Sequence, residues 1–127
     1  MNYRMVLAML AGVGVGGLAV ESIHAQTKPP AYYVVEIDVK NEDVFSKEWA
    51  PKADETIKAA GGAYLVRSTT AERIEGAAPK HVLISKWNNI DNLTAWRLSE
   101  PYMRTLPILD KAVRGGSVRS YVVEGIK

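Results

Sequence analysis

The sequence predicts an α+β domain whose elements follow the order strand–helix–strand–strand–helix–strand. Four segments carry the alternating, β-branched and aromatic pattern of strands, at 31–39, 63–69, 81–87 and 118–124. The helical stretch after the first strand ends at Gly61-Gly62, and the one after the third ends at Gly115-Gly116. Because each crossover of this kind is right-handed, both helical layers are expected on the same face of one four-stranded sheet.

Composition limits the class of protein. The chain has 127 residues, 47% of them hydrophobic and 24% charged, which predicts one globular domain with an appendage. Its formal net charge is only +2 and the charges are interspersed, so neither nucleic acid nor an anionic membrane surface is an expected partner. There is no cysteine and only two histidines, so no metal site is expected.

The first 25 residues resemble a secretory signal peptide. Arg4 precedes an uncharged apolar run over 5–20, and Ala25 is a small residue suited to cleavage. We expect a signal peptide at 1–25, a linker at 26–30 and the domain at 31–127, with export to the periplasm or medium and no membrane contact after cleavage. An uncleaved membrane anchor is the alternative. The glycines at 12–17 match a dinucleotide fingerprint but follow no strand, so no cofactor is expected.

The first half of the domain has clear helix signals. Asn41 is a suitable N-cap, and an apolar stripe recurs every fourth residue from Phe45 through Trp49 to Ile57. Pro51 lies within that stripe and is expected to kink or restart the helix. On the first strand, the predicted helix-facing side chains are Tyr33, Val35, Ile37 and Val39.

The second half repeats the plan. Asn89 is expected to cap a helix, Ser99 with Pro101 to restart it, and Pro107 to disturb it. The complete order is the split βαβ, or ferredoxin-like, arrangement of a four-stranded antiparallel sheet with helices on one face.

The sheet face away from the helices is expected to be apolar enough to require a cover. The side chains assigned to this open face are Val34, Leu65, Leu83, Trp87 and Val122, beside Glu36, Arg67 and Glu124. A second copy of the chain is the natural cover, and two sheets closing on each other would enclose a partly polar cavity.

Six short motifs in register resemble the domain of unknown function 1330 family. They are Tyr33-Val-Val-Glu-Ile-Asp-Val39, Gly61-Gly-Ala-Tyr-Leu-Val-Arg67, Glu75-Gly76, Ala95-Trp96, Ser99-Glu-Pro-Tyr102 and Val122-Val-Glu-Gly125. That family is similar to the dimeric α/β-barrel superfamily, which includes cofactor-free monooxygenases and muconolactone-isomerase-like proteins. The resemblance implies a homodimer with a cavity between sheet and helices. The chain departs from the family pattern at Ser68-Thr69 and Ile108-Leu109.

Arg67 and Glu36 are the first site candidates. Arg67 could clamp a carboxylate or enolate of a ligand, or instead form a structural ion pair with Glu36 or Glu124. Glu36 could act as a general base and line a ligand pocket, or belong to the same ion pair.

The remaining candidates are a histidine and two aromatic residues. His81 could be a general base, although a packed strand-end histidine is the more ordinary role. Trp96 and Tyr102 flank the second helical layer, where a cavity mouth could open, although core packing is their commoner role.

Three functional hypotheses follow. The leading one is an exported homodimer that binds a small, largely apolar or anionic metabolite. The second is a cofactor-free oxygenase or isomerase that uses Glu36 as its base on an enolisable or aromatic substrate. The third is a structural dimer without a ligand.

Overall fold

The computed structural model describes residues 28–127, which form a four-stranded antiparallel sheet with helices packed on one face. The strands are β1 (Ala31–Ile37), β2 (Ala63–Ser68), β3 (His81–Trp87) and β4 (Arg119–Glu124). Their spatial order is β2-β3-β1-β4, so β1 and β3 are central. The predicted ferredoxin-like arrangement is confirmed. The predicted signal peptide lies outside the described residues.

Five helical segments cover the sheet. They are a π-helical segment (Val44–Trp49), α1 (Ala50–Ala59), α2 (Ile90–Arg97), α3 (Glu100–Met103) and α4 (Leu106–Ala112). Among residues 28–127, no helix has the length and apolar content needed to cross a bilayer.

The first helical layer changes its geometry where proline requires it. Asn41 Oδ1 accepts the backbone N–H of Val44 at 3.1 Å, so the predicted cap forms. The backbone N–H of Ala50 donates to the carbonyl of Phe45, five residues back, and Pro51 then occupies the first turn of α1. Proline has no N–H to continue the earlier pattern, so the helix restarts there, as predicted.

The core consists of two clusters of buried side chains between the helices and the sheet. The first cluster includes Ile37, Phe45, Trp49, Leu83 and Leu109. The second, which we call the aromatic cluster, contains Ala31, Ile57, Trp87, Leu93, Trp96 and Tyr102. Tyr64 and Leu106 pack against both. The predicted stripe of the first helix is therefore buried along its whole length.

For β3 and β4, the predicted orientation of the side chains is wrong. Leu83, Trp87, Val122 and Glu124 do not lie on the open face of the sheet. In the register with β1, Val35 lies opposite Leu83 and Ala31 opposite Trp87. Directly opposed residues of antiparallel strands point to the same face, so Leu83 and Trp87 face the helices, where both are almost completely buried. For the same reason Val122, opposite Tyr33, faces the helices and packs against the aromatic cluster, and Glu124 lies opposite buried Ala31.

Because of a bulge in β2, Arg67 lies on the covered face of the sheet and not on the predicted open face. Tyr64 pairs with Ser85 and Val66 with Ile84, so the register shifts at Leu65. Strict alternation would place Tyr64 and Arg67 on opposite faces, but the extra residue places both on the helix-covered face. The open face of the sheet carries the apolar and aromatic side chains of Tyr32, Val34, Val66, Val82, Ile84, Tyr121 and Val123, together with the charged side chains of Glu36, Lys86 and Arg119.

Candidate ligand-binding cavity

A cavity of about 400 Å³ lies between the covered face of the sheet and the helices. Tyr33 and Val35 of β1 and Leu83 and Ser85 of β3 form its floor. These four residues alternate along the two central strands and are paired across them, which explains why all four point to the same side. The volume lies in the ordinary range for small-molecule sites.

The helices supply walls that belong to both core clusters. Trp49 and Ala53 come from the first helical layer, and Leu109 comes from α4. Trp96 and Tyr102, from α2 and α3, line the cavity from the aromatic cluster. The cavity therefore lies where the two clusters meet, and its walls are mainly apolar.

Trp96 is held firmly in the wall. Its ring centroid lies 4.1 Å from that of Tyr102 and 4.9 Å from that of Trp87, and it meets Tyr33 edge-on at 5.7 Å. Its indole Nε1 donates to Thr56 Oγ1 at 3.0 Å. Because both the ring faces and the N–H are occupied, this wall is pre-formed.

Tyr33, Tyr64 and Tyr102 line the cavity and influence one another electrostatically. Burial, followed by the charge of Asp54, raises the pKa of Tyr64 to about 12. Burial also raises the pKa of Tyr102, with a further contribution from the neighbouring Tyr33. The Tyr64 and Tyr102 hydroxyls therefore stay protonated at neutral pH and can donate hydrogen bonds to a ligand.

The rim of the cavity carries one cation and one carboxylate, Arg97 and Asp110, and both residues are exposed. The guanidinium carbon of Arg97 lies 5.8 Å from the centroid of the Tyr33 ring on the cavity floor. Arg97 was not among the site residues predicted from the sequence. The usable signal is that Arg97 ends α2 directly after a buried tryptophan, at the edge of the helical layer.

The indole N–H of Trp49 is a buried donor with no hydrogen-bond partner within residues 28–127. Its ring packs on Phe45 at 5.1 Å, in the π-helical segment. A buried, unpaired donor costs about 1–3 kcal/mol, so this corner of the cavity wall is less stable than the aromatic cluster.

Of the residues that the sequence singled out, Trp96 and Tyr102 lie together in the cavity wall. Glu36 lies on the open face, where its Oε2 accepts the hydroxyl of Tyr121 at 2.8 Å. The sheet therefore separates Glu36 from the cavity.

His81 lies at the start of β3, on the covered face but outside the cavity lining. Its Nε2 is 2.9 Å from Glu42 Oε1, and its ring packs 5.0 Å from the ring of Phe45. Only 5% of its side chain is exposed, so the ring is enclosed by its packing neighbours.

Arg67 forms an ion pair with Asp54, with Nη2 and Oδ1 2.8 Å apart, and stacks on Tyr64 with its Cζ 4.4 Å from the ring centroid. The predicted ion pair with Glu36 or Glu124 is wrong, because the bulge turns Arg67 towards α1. It lies at the edge strand β2 and outside the main cavity, where it lines a second, shallower concavity with Asp54 and Lys58.

Within residues 28–127, no three histidine, aspartate or glutamate side chains come together in a way that could hold a metal ion.

Family comparison agrees with the fold. The model of the domain of unknown function DUF1330 matches residues 30–126 of the chain. The chain belongs to this family. The DUF1330 domain thus includes every strand, both core clusters and the whole cavity. No curated protein matches the sequence.

Solved structures similar to this DUF1330 chain share its fold at low sequence identity. A protein of unknown function from Rhodopseudomonas palustris is 11% identical, with a TM-score of 0.66 over 79% of this chain and 85% of that one. A dimeric ferredoxin-like protein of unknown function from Jannaschia sp. CCS1 is 13% identical, with a TM-score of 0.59 over 76% and 99% of the two chains. SnoaB, a cofactor-independent oxygenase from Streptomyces nogalater, is 12% identical, with a TM-score of 0.55 over 78% and 95%.

Proposed function

We propose that this DUF1330 chain forms a homodimer that binds a small, largely apolar molecule in the cavity between sheet and helices. The observation that carries the proposal is the cavity itself, of about 400 Å³, with apolar walls and a few polar groups. Sites that bind small molecules usually combine these features, since the walls supply affinity and the polar groups orient the ligand.

The arrangement supports binding more strongly than base catalysis. Glu36 and His81, the predicted general bases, both lie outside the cavity lining. The raised pKa values of Tyr64 and Tyr102 make those two side chains hydrogen-bond donors rather than proton acceptors at neutral pH. The likeness to the oxygenase SnoaB concerns the fold alone.

The homodimer is supported by the open face of the sheet. Val66, Tyr121 and Val123 are at least one-third exposed there, and Val34 and Ile84 are only partly covered. A continuous apolar patch across four strands is unusual on the surface of a monomer. The ferredoxin-like protein from Jannaschia sp. CCS1 is described as dimeric, which agrees with a self-complementary sheet face.

The dimer is tested by light scattering on the purified full chain. We expect a dimer mass for the wild type and a monomer mass for Ile84→Lys, because a charge would be buried in the interface. Ile74→Lys is the matched control, since Ile74 is 91% exposed in the loop before β3 and should leave the dimer intact. A monomer mass for the wild type at millimolar concentration would refute the dimer.

Ligand binding is tested by thermal shift with a panel of aromatic and lactone-like compounds. Stabilising compounds should lose their effect in Ser120→Trp, in which an indole would obstruct the rim of the cavity. Ala71→Trp, in the exposed loop that follows β2, should respond like the wild type. The proposal fails if no compound stabilises the wild type, or if Ser120→Trp responds as fully as Ala71→Trp.

Export is part of the proposal and is supported by the pattern of residues 1–25 alone. Expression of the full gene product followed by cell fractionation should place a shortened chain in the periplasm or the medium. Uncleaved protein in the membrane fraction would favour the anchor instead, and uncleaved protein in the cytosol would contradict both.

A further inference from the structure

Arg97 is a cation at the cavity rim that the described residues leave without an acidic partner. Ion pairs join Arg67 with Asp54, Arg104 with Glu100 and Lys28 with Asp91, whereas several exposed basic residues outside the cavity have no such partner among residues 28–127. Among residues 28–127, Arg97 has no carboxylate oxygen within 4.0 Å of its guanidinium nitrogens. Within the described part of the chain, it is also the one basic residue that lines the cavity.

The Arg97 guanidinium lies near two tyrosines whose hydroxyls can donate hydrogen bonds to the same group of a ligand. The Arg97 Cζ is 5.8 Å from the Tyr33 ring centroid, and its charge acts on the hydroxyl of Tyr102. Tyr33 and Tyr102 both pack against Trp96 and line the same cavity as Arg97, so two tyrosines and a guanidinium come together in one part of the lining. A guanidinium and protonated hydroxyls all donate hydrogen bonds, and an oxyanion accepts them.

The rest of the lining has no further cation. Trp49, Ala53, Leu83 and Leu109 form an apolar wall away from the rim. Among residues 28–127, the lining holds one cation, Arg97, and one carboxylate, Asp110, so a ligand with several negative charges is disfavoured. The chemistry of the lining thus fits a single anionic group on an apolar body.

We propose that the ligand is an organic monoanion, a carboxylate on an aromatic or short aliphatic body, whose carboxylate is held at the rim by Arg97 with the hydroxyls of Tyr33 and Tyr102. The body of the ligand lies against Trp49, Leu83 and Leu109. This inference rests on the proposed ligand-binding function and adds the chemical class of the ligand and the residue that selects it.

The test compares carboxylates with their neutral amides on the same carbon skeleton. Phenylacetate, 3-phenylpropionate, 4-phenylbutyrate and octanoate, each with its amide, are titrated into the full-length protein by calorimetry. We expect at least one acid to bind about fivefold tighter than its amide at low salt, since an exposed ion pair contributes up to about that factor. Raising the ionic strength should reduce the preference, because the rim is open to solvent.

Substitutions identify the group responsible. Arg97→Gln should remove the difference in affinity between the acid and its amide, and Arg97→Lys should keep part of that difference. Arg73→Gln, the same change in an exposed loop residue outside the cavity, should behave like the wild type. Far-UV circular dichroism of each variant checks that the fold is retained.

The outcomes separate the two proposals. Equal binding of acids and amides by the wild type, or a preference that persists in Arg97→Gln, would overturn the assignment of Arg97 and leave the cavity as a binding site. If neither the acids nor the amides bind while the broader panel of neutral compounds does, the monoanion is again wrong. If no compound of any kind binds, the proposed function itself fails.

Discussion

The two faces of the sheet use similar residues for different purposes. On the covered face, Leu83 and Trp87 are almost fully buried against helices, and the face also forms the floor of the cavity. On the open face, Val82 and Ile84 of the same strand are only partly covered, and Tyr121 is 44% exposed. Both faces carry many apolar side chains, and the open face also carries Glu36, Lys86 and Arg119. The two faces differ in whether helices of the same chain cover them.

The largest expected effect comes from truncating neighbouring residues of β3 on the two faces. Leu83→Ala should lower the free energy of unfolding by about 3 kcal/mol, because it enlarges a space inside the core. Ile84→Ala should change the free energy of unfolding of the monomer by less than about 1 kcal/mol, since its side chain is only partly buried in one chain. Urea unfolding, at a protein concentration low enough to populate monomers, measures the free energy of unfolding of both variants.

In sedimentation experiments, which measure dimerisation, the larger effect should come from Ile84→Ala instead of Leu83→Ala. Ile84→Ala should weaken dimerisation, whereas folded Leu83→Ala should dimerise like the wild type. Equal stability losses for the two variants would mean that β3 does not have one covered and one open face.

A second prediction concerns how tightly the covered face is packed. A Cβ at Gly62 would lie 2.6 Å from the Trp87 ring, which is 1% exposed and has no room to move. Gly62→Ala should therefore destabilise the protein by about 2 kcal/mol through overpacking. Thermal unfolding followed by circular dichroism is the measurement.

Gly115→Ala is the control for this change. A Cβ at Gly115 meets nothing within 4 Å, and its φ is not positive. Alanine there should be neutral or slightly stabilising, because it restricts the unfolded chain. If Gly62→Ala matched Gly115→Ala, the close approach of Gly62 to Trp87 would be disproved.

The third prediction uses alkaline pH to measure how strongly burial on the covered face affects Tyr64. Burial raises the pKa of Tyr64 from 10.0 to about 12, so its folded form holds the proton more tightly than its unfolded form. The corresponding stabilisation is complete below pH 10 and is lost as the pH rises towards 12. Titration of Tyr64 should lower the free energy of unfolding of the wild type by about 1 kcal/mol between pH 9 and pH 11. The free energy of unfolding of Tyr64→Phe should fall less over the same range.

The readout is the urea midpoint at each pH, together with tyrosinate absorbance. An unchanged slope in Tyr64→Phe would show that the Tyr64 hydroxyl is not buried as described.

The smallest effect is expected on the open face itself. A hydrogen bond with Glu36 raises the pKa of Tyr121, but the pair is exposed in one chain. Tyr121→Phe should change the stability of the monomer by less than about 0.5 kcal/mol, as is usual for exposed polar pairs. Urea unfolding of dilute protein checks this, and a loss above about 2 kcal/mol would mean that the pair is buried.

Local signals in the sequence were sufficient for the elements. The cap at Asn89 forms, with its side chain accepting the Asn92 backbone N–H at 2.9 Å, and the helix restarts at Pro51. Gly61 ends the first helix with a φ of +90°. Each of these outcomes depends on residues within one or two turns, so the sequence contains the necessary information.

The faces of β2, β3 and β4 were harder to predict because alternation gives two sets of side chains without saying which set is inside. On β3, the set with His81, Ser85 and Trp87 looks more polar, yet it is the buried one. Its polar atoms are satisfied internally, with Trp87 Nε1 donating to Ser85 Oγ at 3.0 Å and His81 close to Glu42. The register with β1 determines the face, and register is a long-range property.

The sequence by itself determined the order of the elements, the cap at Asn89, the restart at Pro51 and the family resemblance, because those depend on short-range chemistry and on motifs in register, whereas β1 ends at Ile37 and the last helix at Ala112, both before their predicted ends. Only the tertiary structure decided that Arg67 turns towards Asp54 and that Arg97 and Tyr102 meet at one cavity. A single bulge residue reverses the faces of a strand, and a cavity exists only where separate segments pack. Neither event leaves a local signal in the chain.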